Sequence, residues 1–353
     1  MQSVLAYMVE TIDPCNGPQV QARLFRSESD TLCLKVNHMV ADAGGVKEYA
    51  ELLATLYRRL IKNPSYIPPI NSNSVGNRSR MQAIQDFSFR KKLKIVHRSF
   101  QDWQEAHFPS GNWSVPLKHV TPGQRAYVIR KIEPDQFRTI RMYCRKNGVT
   151  INDVMLAAYF RSLYKLIRPS SGVPLRVATT VDLRRYLPDG KGEAICNLAG
   201  KFEMNIGATP GNNLADTVSL VHNKMKVRKN DCFGLGDSHH FMFNIGYLSF
   251  ARTCRLSELW IGFMRRVSPK PLPPVFTNLG KIESFRINFG NIAVQDAFLT
   301  ALGTVPPLFL MSLSGFNDSL TMSIGFCENT IQKKKVGQLL ENIKKETKSL
   351  PLR

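Results

Sequence analysis

The chain has 353 residues, of which 43% are hydrophobic and 21% charged, and a formal net charge of +21. Its length exceeds the roughly 250 residues at which one core stops growing, so two lobes are expected, and the composition excludes a largely disordered protein. There is no uninterrupted apolar run of about 18 residues, no basic residue precedes the apolar stretch at the start, and the seven cysteines are odd in number with no C-x-x-C pair; these observations speak against a spanning helix, a visible secretory signal and a zinc or redox motif, and fit a cytoplasmic protein.

Along the chain, the first elements are Q19–R26 and T31–V36, where Val20, Ala22 and Leu24, then Leu32, Leu34 and Val36, alternate with polar residues across the turn-like Ser27-Glu28-Ser29-Asp30. They predict a hairpin. A polar loop, Asn37 to Gly45, leads into a helix whose apolar positions Val46, Tyr49, Leu52, Leu53, Leu56, Tyr57 and Leu60 recur at helical spacing. Residues 63–80, rich in Pro, Ser and Asn, read as a linker or a mobile loop, and roughly 81–105 as a basic amphipathic helix carrying Arg90, Lys91, Lys92 and Lys94. The pattern resets near residue 120, which sets the expected lobes at 1–120 and 121–353.

The second part opens with a strand in HVTPGQRAYVIRKI and a helix that Pro134 begins and Gly148 ends. INDVMLAAYFRSLYKLI is apolar nearly all round and predicts a buried helix capped by Thr150 or Asn152, with Asn152 and Asp153 positioning its start. PLRVATTVDLRRYLP reads as a strand in which Asp182 and Arg184 share a face and Arg185 points away. A helix near 211–227, two helical patterns within 239–266, a strand in PPVFTNLGKI, a hairpin in PLFLMSLSGFNDSLTMSIGF and a last helix with Val336, Leu339, Leu340 and Ile343 on one face complete a mixed α/β chain.

One segment concentrates reactive side chains. Asn37-His38-Met39-Val40-Ala41-Asp42-Ala43-Gly44-Gly45 contains H-x-x-x-D-x-x-G, a pattern that composition alone would produce about 0.02 times in this chain. It lies where a strand ends and a helix begins, a common place for chemistry. A neutral imidazole at His38 can take a proton from an attacking hydroxyl or amine, an aspartate four residues on can fix the loop, and Gly45 allows close passage of the backbone. The motif by itself is equally compatible with a histidine satisfied inside a strand-end network.

These residues resemble the signature of the condensation-domain and CoA-dependent acyltransferase superfamily, the chloramphenicol acetyltransferase-like fold that includes alcohol acetyltransferases and wax-ester synthase/diacylglycerol acyltransferases. Its HHxxxDG or HxxxD motif is matched by His38 and Asp42, with Asn37 at the first His and Ala43 displacing the glycine. The resemblance continues in order through NDVMLAA from Asn152, VDLRRYLP with NLAG at Asn197 to Gly200, and FTNLGKI with Thr277, Asn278 and Gly280. The plant branch's DFGWG motif is absent.

The resemblance implies a two-lobed fold, each lobe a mixed sheet with flanking helices, and a channel between them. It implies acyl transfer from a thioester to an alcohol or amine, with His38 and Asp42 as catalytic residues, Arg184 as partner of Asp42, and Gly45 and Asp182 in support. Asn37, Asn197, Thr277 and Asn278 are then expected along the substrate channel. No metal or bound cofactor is implied. The donor would be acyl-CoA or the phosphopantetheine of an acyl carrier protein, either of which suits a basic surface, as does peripheral contact with an anionic membrane. A non-catalytic scaffold is the alternative reading; no motif supports nucleic-acid binding. Because a substantial αβ segment precedes the motif in this superfamily, the chain is also expected to lack part of its first lobe.

Overall fold

The structure, a computed structural model, describes residues 2–68, 76–107, 113–119, 123–236, 272–301, 303 and 306–351, with 252, 255, 256 and 259. Most of the patterns read within 239–266 and the middle of the 63–80 segment lie outside these residues.

Helix α1 (Gln2–Val9) is followed by strands β1 (Val20–Phe25) and β2 (Thr31–Val36), then α2 (Ala43–Lys62), a short 3-10 turn (Arg80–Ile84) and α3 (Phe89–His107). β1 and β2 form the expected antiparallel hairpin. Its register pairs Val20 with Val36, Ala22 with Leu34 and Leu24 with Leu32, which puts the alternating apolar set on one face. That face is only partly covered, for Leu24 and Leu32 are exposed. Helix α1 has no counterpart in the periodicity reading. It buries Val4 and Tyr7, and the Tyr7 ring lies between the Arg23 guanidinium and the Lys35 ammonium, 4.1 and 4.0 Å from its centroid.

The rest of the chain builds a six-stranded mixed sheet from β3 (Arg125–Ile132), β4 (Arg176–Asp182), β5 (Ala199–Asn205), β6 (Val275–Ile282), β7 (Leu310–Phe316) and β8 (Ser319–Cys327), in the order β3-β8-β7-β6-β4-β5. β6 is parallel to both β4 and β7, and the other pairings are antiparallel. Four further helices, α4 (Pro134–Asn147), α5 (Ile151–Ile167), α6 (Leu214–Lys229) and α7 (Lys333–Lys348), supply apolar side chains to the main core. β7 and β8 are buried on both faces. On the side of Ser312 and Ser314, the amides of Ala301 and Leu299 donate to their hydroxyls at 3.1 and 3.0 Å.

Local signals explain most element ends. Pro134 occupies the first turn of α4, where its missing N–H costs nothing, and Gly148 closes the helix at φ 64°. α5 has ten consecutive or near-consecutive buried positions from Asp153 to Leu163, as its all-round apolarity requires. Its cap is Thr150. The Thr150 hydroxyl accepts from the Asp153 amide at 3.2 Å while Asp153 accepts from the Thr150 amide at 2.9 Å; Asn152 instead accepts from Asn278 at 3.2 Å.

Thr150→Ala is expected to lower stability by about 1 kcal/mol, read as a shift of the urea midpoint. Asp153→Ala should cost more, because this buried carboxylate also bonds His222 Nδ1 at 3.0 Å. Unchanged midpoints in both variants would mean that packing alone holds the start of α5.

Candidate functional site

The loop between β2 and α2 is shaped first by Asn37. Its carbonyl accepts from the Val40 and Ala41 amides at 2.9 and 3.3 Å, and its Oδ1 accepts from the Met39 amide at 3.0 Å. Its Nδ2 donates to Gln19 Oε1 at 2.7 Å. The side chain expected in the channel is thus engaged in forming the turn. The turn leaves His38 exposed at its tip.

His38 Nδ1 lies 3.2 Å from the Ala41 carbonyl oxygen. A carbonyl can only accept, so the contact selects the tautomer with the proton on Nδ1 and makes Nε2 the basic nitrogen. The backbone of the same residue is anchored from the larger sheet: Asn197 Nδ2 donates to the His38 carbonyl at 2.7 Å, and Asn197 Oδ1 accepts from the Ala199 amide at 3.1 Å. Asn197 therefore positions the histidine's peptide.

Asp42 is buried, and its hydrogen bonds go to groups other than the imidazole ring. It is the N-cap of α2, with Oδ1 accepting from the Gly45 amide at 2.9 Å. Oδ2 accepts from the Leu198 amide at 2.8 Å, and Arg184 Nη1 donates to both oxygens at 3.0 and 2.9 Å. With both oxygens occupied, Asp42 is placed to hold the loop; the imidazole is oriented by the Ala41 carbonyl.

Arg184 is buried as deeply. Its Nε donates to Glu48 at 3.1 Å, Nη2 to the Cys196 carbonyl at 3.1 Å, and Nη1 also approaches Asp182 at 3.3 Å. Burial opposes the guanidinium's charge, but the hydrogen bond and charge of Asp42, with Asp182 and Glu48, outweigh it and raise the pKa above the usual arginine range. The nearness of Asp182 to Arg184 has a different origin from the strand alternation read in the sequence. β4 ends at Asp182, which caps a 3-10 turn (Leu183–Tyr186) by accepting from the Arg184 amide at 3.0 Å. The strand expected to continue to Pro188 is replaced by this turn because its capping aspartate and buried arginine both gain partners there.

Gly45 of the motif is joined by two contributors the motif does not mark, Gly44 and Lys47. A Cβ on Gly44 would fall 2.5 Å from Arg184 Nη1, and one on Gly45 would fall 2.8 Å from Ala41 Cβ and 3.2 Å from the Cys196 carbonyl. The glycine pair therefore lets the first turn of α2 lie directly against the guanidinium, the Ile195 side chain and the Cys196 carbonyl, a reason that the adjacency Gly44-Gly45 hints at and only the fold supplies. Lys47, one turn into α2, donates to the Leu279 carbonyl at 3.1 Å; burial pulls its pKa down, against the attraction of Asp182. It ties the motif helix to β6, where a Cβ on Gly280, at φ +77°, would meet its ammonium.

Thr277 and Asn278 are on β6 as expected, and their side chains bond Thr180 at 2.7 Å and Asn152 at 3.2 Å. Among the described residues, no group of three His, Cys, Asp or Glu side chains is arranged to hold a metal, no disulfide forms, and no helix is long and apolar enough to cross a membrane.

No family model matches this sequence, and no curated protein matches it. Solved structures do. The chain is similar to the epimerization domain from the third module of tyrocidine synthetase B, at 13% identity and a TM-score of 0.68, covering 98% of this chain and 75% of that one. It is similar to TRI3 trichothecene 15-O-acetyltransferase from Fusarium sporotrichioides, at 14% identity and a TM-score of 0.63, covering 94% and 70%. The first condensation domain of the CDA synthetase matches at 14% identity and a TM-score of 0.58, covering 94% and 67%. The mixed α/β architecture is the one expected from the motif resemblance, the fold shared by condensation domains, epimerization domains and O-acetyltransferases.

Removing either member of a buried ion pair strands the other, at a cost of roughly 3–5 kcal/mol. Asp42→Asn and Arg184→Ala are each expected to lower stability toward that range, and the double variant by clearly less than their sum. Chemical denaturation of the four proteins measures the cycle, and strict additivity would show that the two side chains do not interact.

Proposed function

We propose that the chain is an acyltransferase that moves an acyl group from a thioester to an alcohol or amine, with His38 as the general base. The observation that carries this reading is the presentation of His38: an exposed imidazole held through Nδ1 by the Ala41 carbonyl, on a loop anchored by the Asp42–Arg184 pair. The likeness in fold to a condensation domain and to an O-acetyltransferase supports it.

In this mechanism Nε2 takes the acceptor's proton as its oxygen or nitrogen attacks the thioester carbonyl, giving a tetrahedral oxyanion. Collapse breaks the C–S bond, and the departing thiolate receives the proton from the imidazolium, so the base returns to its starting state without an acyl-enzyme. Asp42, Arg184, Gly45 and Asp182 keep the loop rigid, Asn197 fixes the His38 peptide, and Asn37 forms the turn. The donor is acyl-CoA or a carrier-protein phosphopantetheine, both anionic partners for a chain of charge +21.

The test is release of free thiol from an acyl-CoA series, and from acylated carrier protein, in the presence of pooled alcohols and amines. His38→Ala should reduce release by about 10²–10⁴-fold. Its melting midpoint should stay unchanged, because an exposed ring leaves no cavity. Activity retained within a few-fold would remove His38 from the mechanism. Because epimerization frees no thiol, turnover of a carrier-bound substrate without thiol release would favour the chemistry of the epimerization-domain neighbour instead.

A further inference from the structure

The outward face of α3 has a surface chemistry that the acyl-transfer reading does not use. The helix packs inward through Ile95, Arg98 and Ser99, all buried. Its two carboxylates are engaged around Arg98, which donates to Asp102 at 2.9 Å and to Glu105 at 2.8 Å, while Arg228 of α6 bonds Asp102 at 2.8 Å. From Ser88 to Gln101 the sequence contains no acidic residue.

On the opposite side Phe89, Leu93 and Val96 stand at three- and four-residue steps and are 75%, 52% and 62% exposed. Exposed cations border this apolar stripe: Lys92 on one side, Arg90 and Lys94 on the other. Helical spacing places these cations at the margins of the stripe, where long stems can lie along apolar surface; the exposed Lys92 ammonium also donates to the Gln85 carbonyl at 3.2 Å.

We propose that α3 docks the protein on an anionic lipid surface, its Phe89-Leu93-Val96 stripe entering the boundary between headgroups and acyl chains while Arg90, Lys92 and Lys94 meet lipid phosphates. An apolar stripe framed by cations on a face without carboxylates is the pattern of an interfacial helix. Lysine is depleted from the interiors of protein–protein contacts and is common beside lipid headgroups, which favours a membrane over an acidic protein as the occupant. The overall charge of +21 adds attraction toward the same surface.

The experiment is flotation of the full chain with phosphatidylcholine vesicles, with and without phosphatidylserine, at low and high salt. Binding is expected only to the anionic vesicles, weakening with salt. Lys92→Gln and Lys94→Gln should each weaken it about five-fold, corresponding to the ~1 kcal/mol that a basic residue gains near an anionic leaflet. Leu93→Asp should weaken it by more than either, with an unchanged melting midpoint because Leu93 is exposed; Phe89→Ser takes its place if that variant melts early. Absence of binding at low salt, or full binding by both stripe variants, would overturn the proposal. So would self-association or capture of an acidic protein through the stripe without vesicle binding.

Discussion

The ion pair between Asp42 and Arg184 is the contact on which the arrangement of the site depends. Each group is buried where an isolated charge would be unstable, and each has its remaining polar capacity met: Asp42 by the Gly45 and Leu198 amides, Arg184 by Glu48, Asp182 and the Cys196 carbonyl. Asp42 begins α2, and Arg184 sits on the turn that ends β4. The pair therefore fastens the hairpin-and-helix part of the chain to the six-stranded sheet at one point. His38, four residues before Asp42, is held in place by that attachment, as is its own peptide by Asn197.

The division of labour differs from a catalytic dyad in which a carboxylate bonds the imidazole. Here the acid is occupied with structural hydrogen bonds, and a backbone carbonyl sets the tautomer. Placing the charged network beneath the loop, with the imidazole on the exposed side, keeps the basic nitrogen accessible while the loop remains rigid. The Gly44-Gly45 pair belongs to the same solution, because side chains there would collide with the guanidinium and with Ala41 and crowd Ile195 and the Cys196 carbonyl. Lys47 extends the fastening to β6 through the Leu279 carbonyl.

On α3 the basic residues are unevenly distributed. Around Arg98, basic and acidic groups neutralise one another against the body of the protein, whereas the outer side of α3 keeps its cations and its apolar stripe. Equal numbers of charges arranged at random over the surface would produce a diffuse field. The three cations Arg90, Lys92 and Lys94, set beside exposed apolar side chains on one helix face, are the arrangement from which an orientation toward an anionic surface is proposed.

Elements with local causes were legible from the residues alone. The β1–β2 register follows from alternation, the limits of α4 from Pro134 and Gly148, the burial of α5 from its unbroken apolarity, and the position of His38 from the motif at a strand end. Helix α1 escaped that reading because eight residues offer little periodicity, and its place is set by distant Arg23 and Lys35 around Tyr7. Packing across the fold is what stops β4 at Asp182 and what bonds Thr277 and Asn278 to Thr180 and Asn152. It also decided what surrounds Asp42 and Arg184, since 142 positions separate them in sequence and the amides, carbonyls and carboxylates that satisfy them converge only when the chain is folded. A motif can specify which groups need partners, but the supply of those partners is a property of three-dimensional packing.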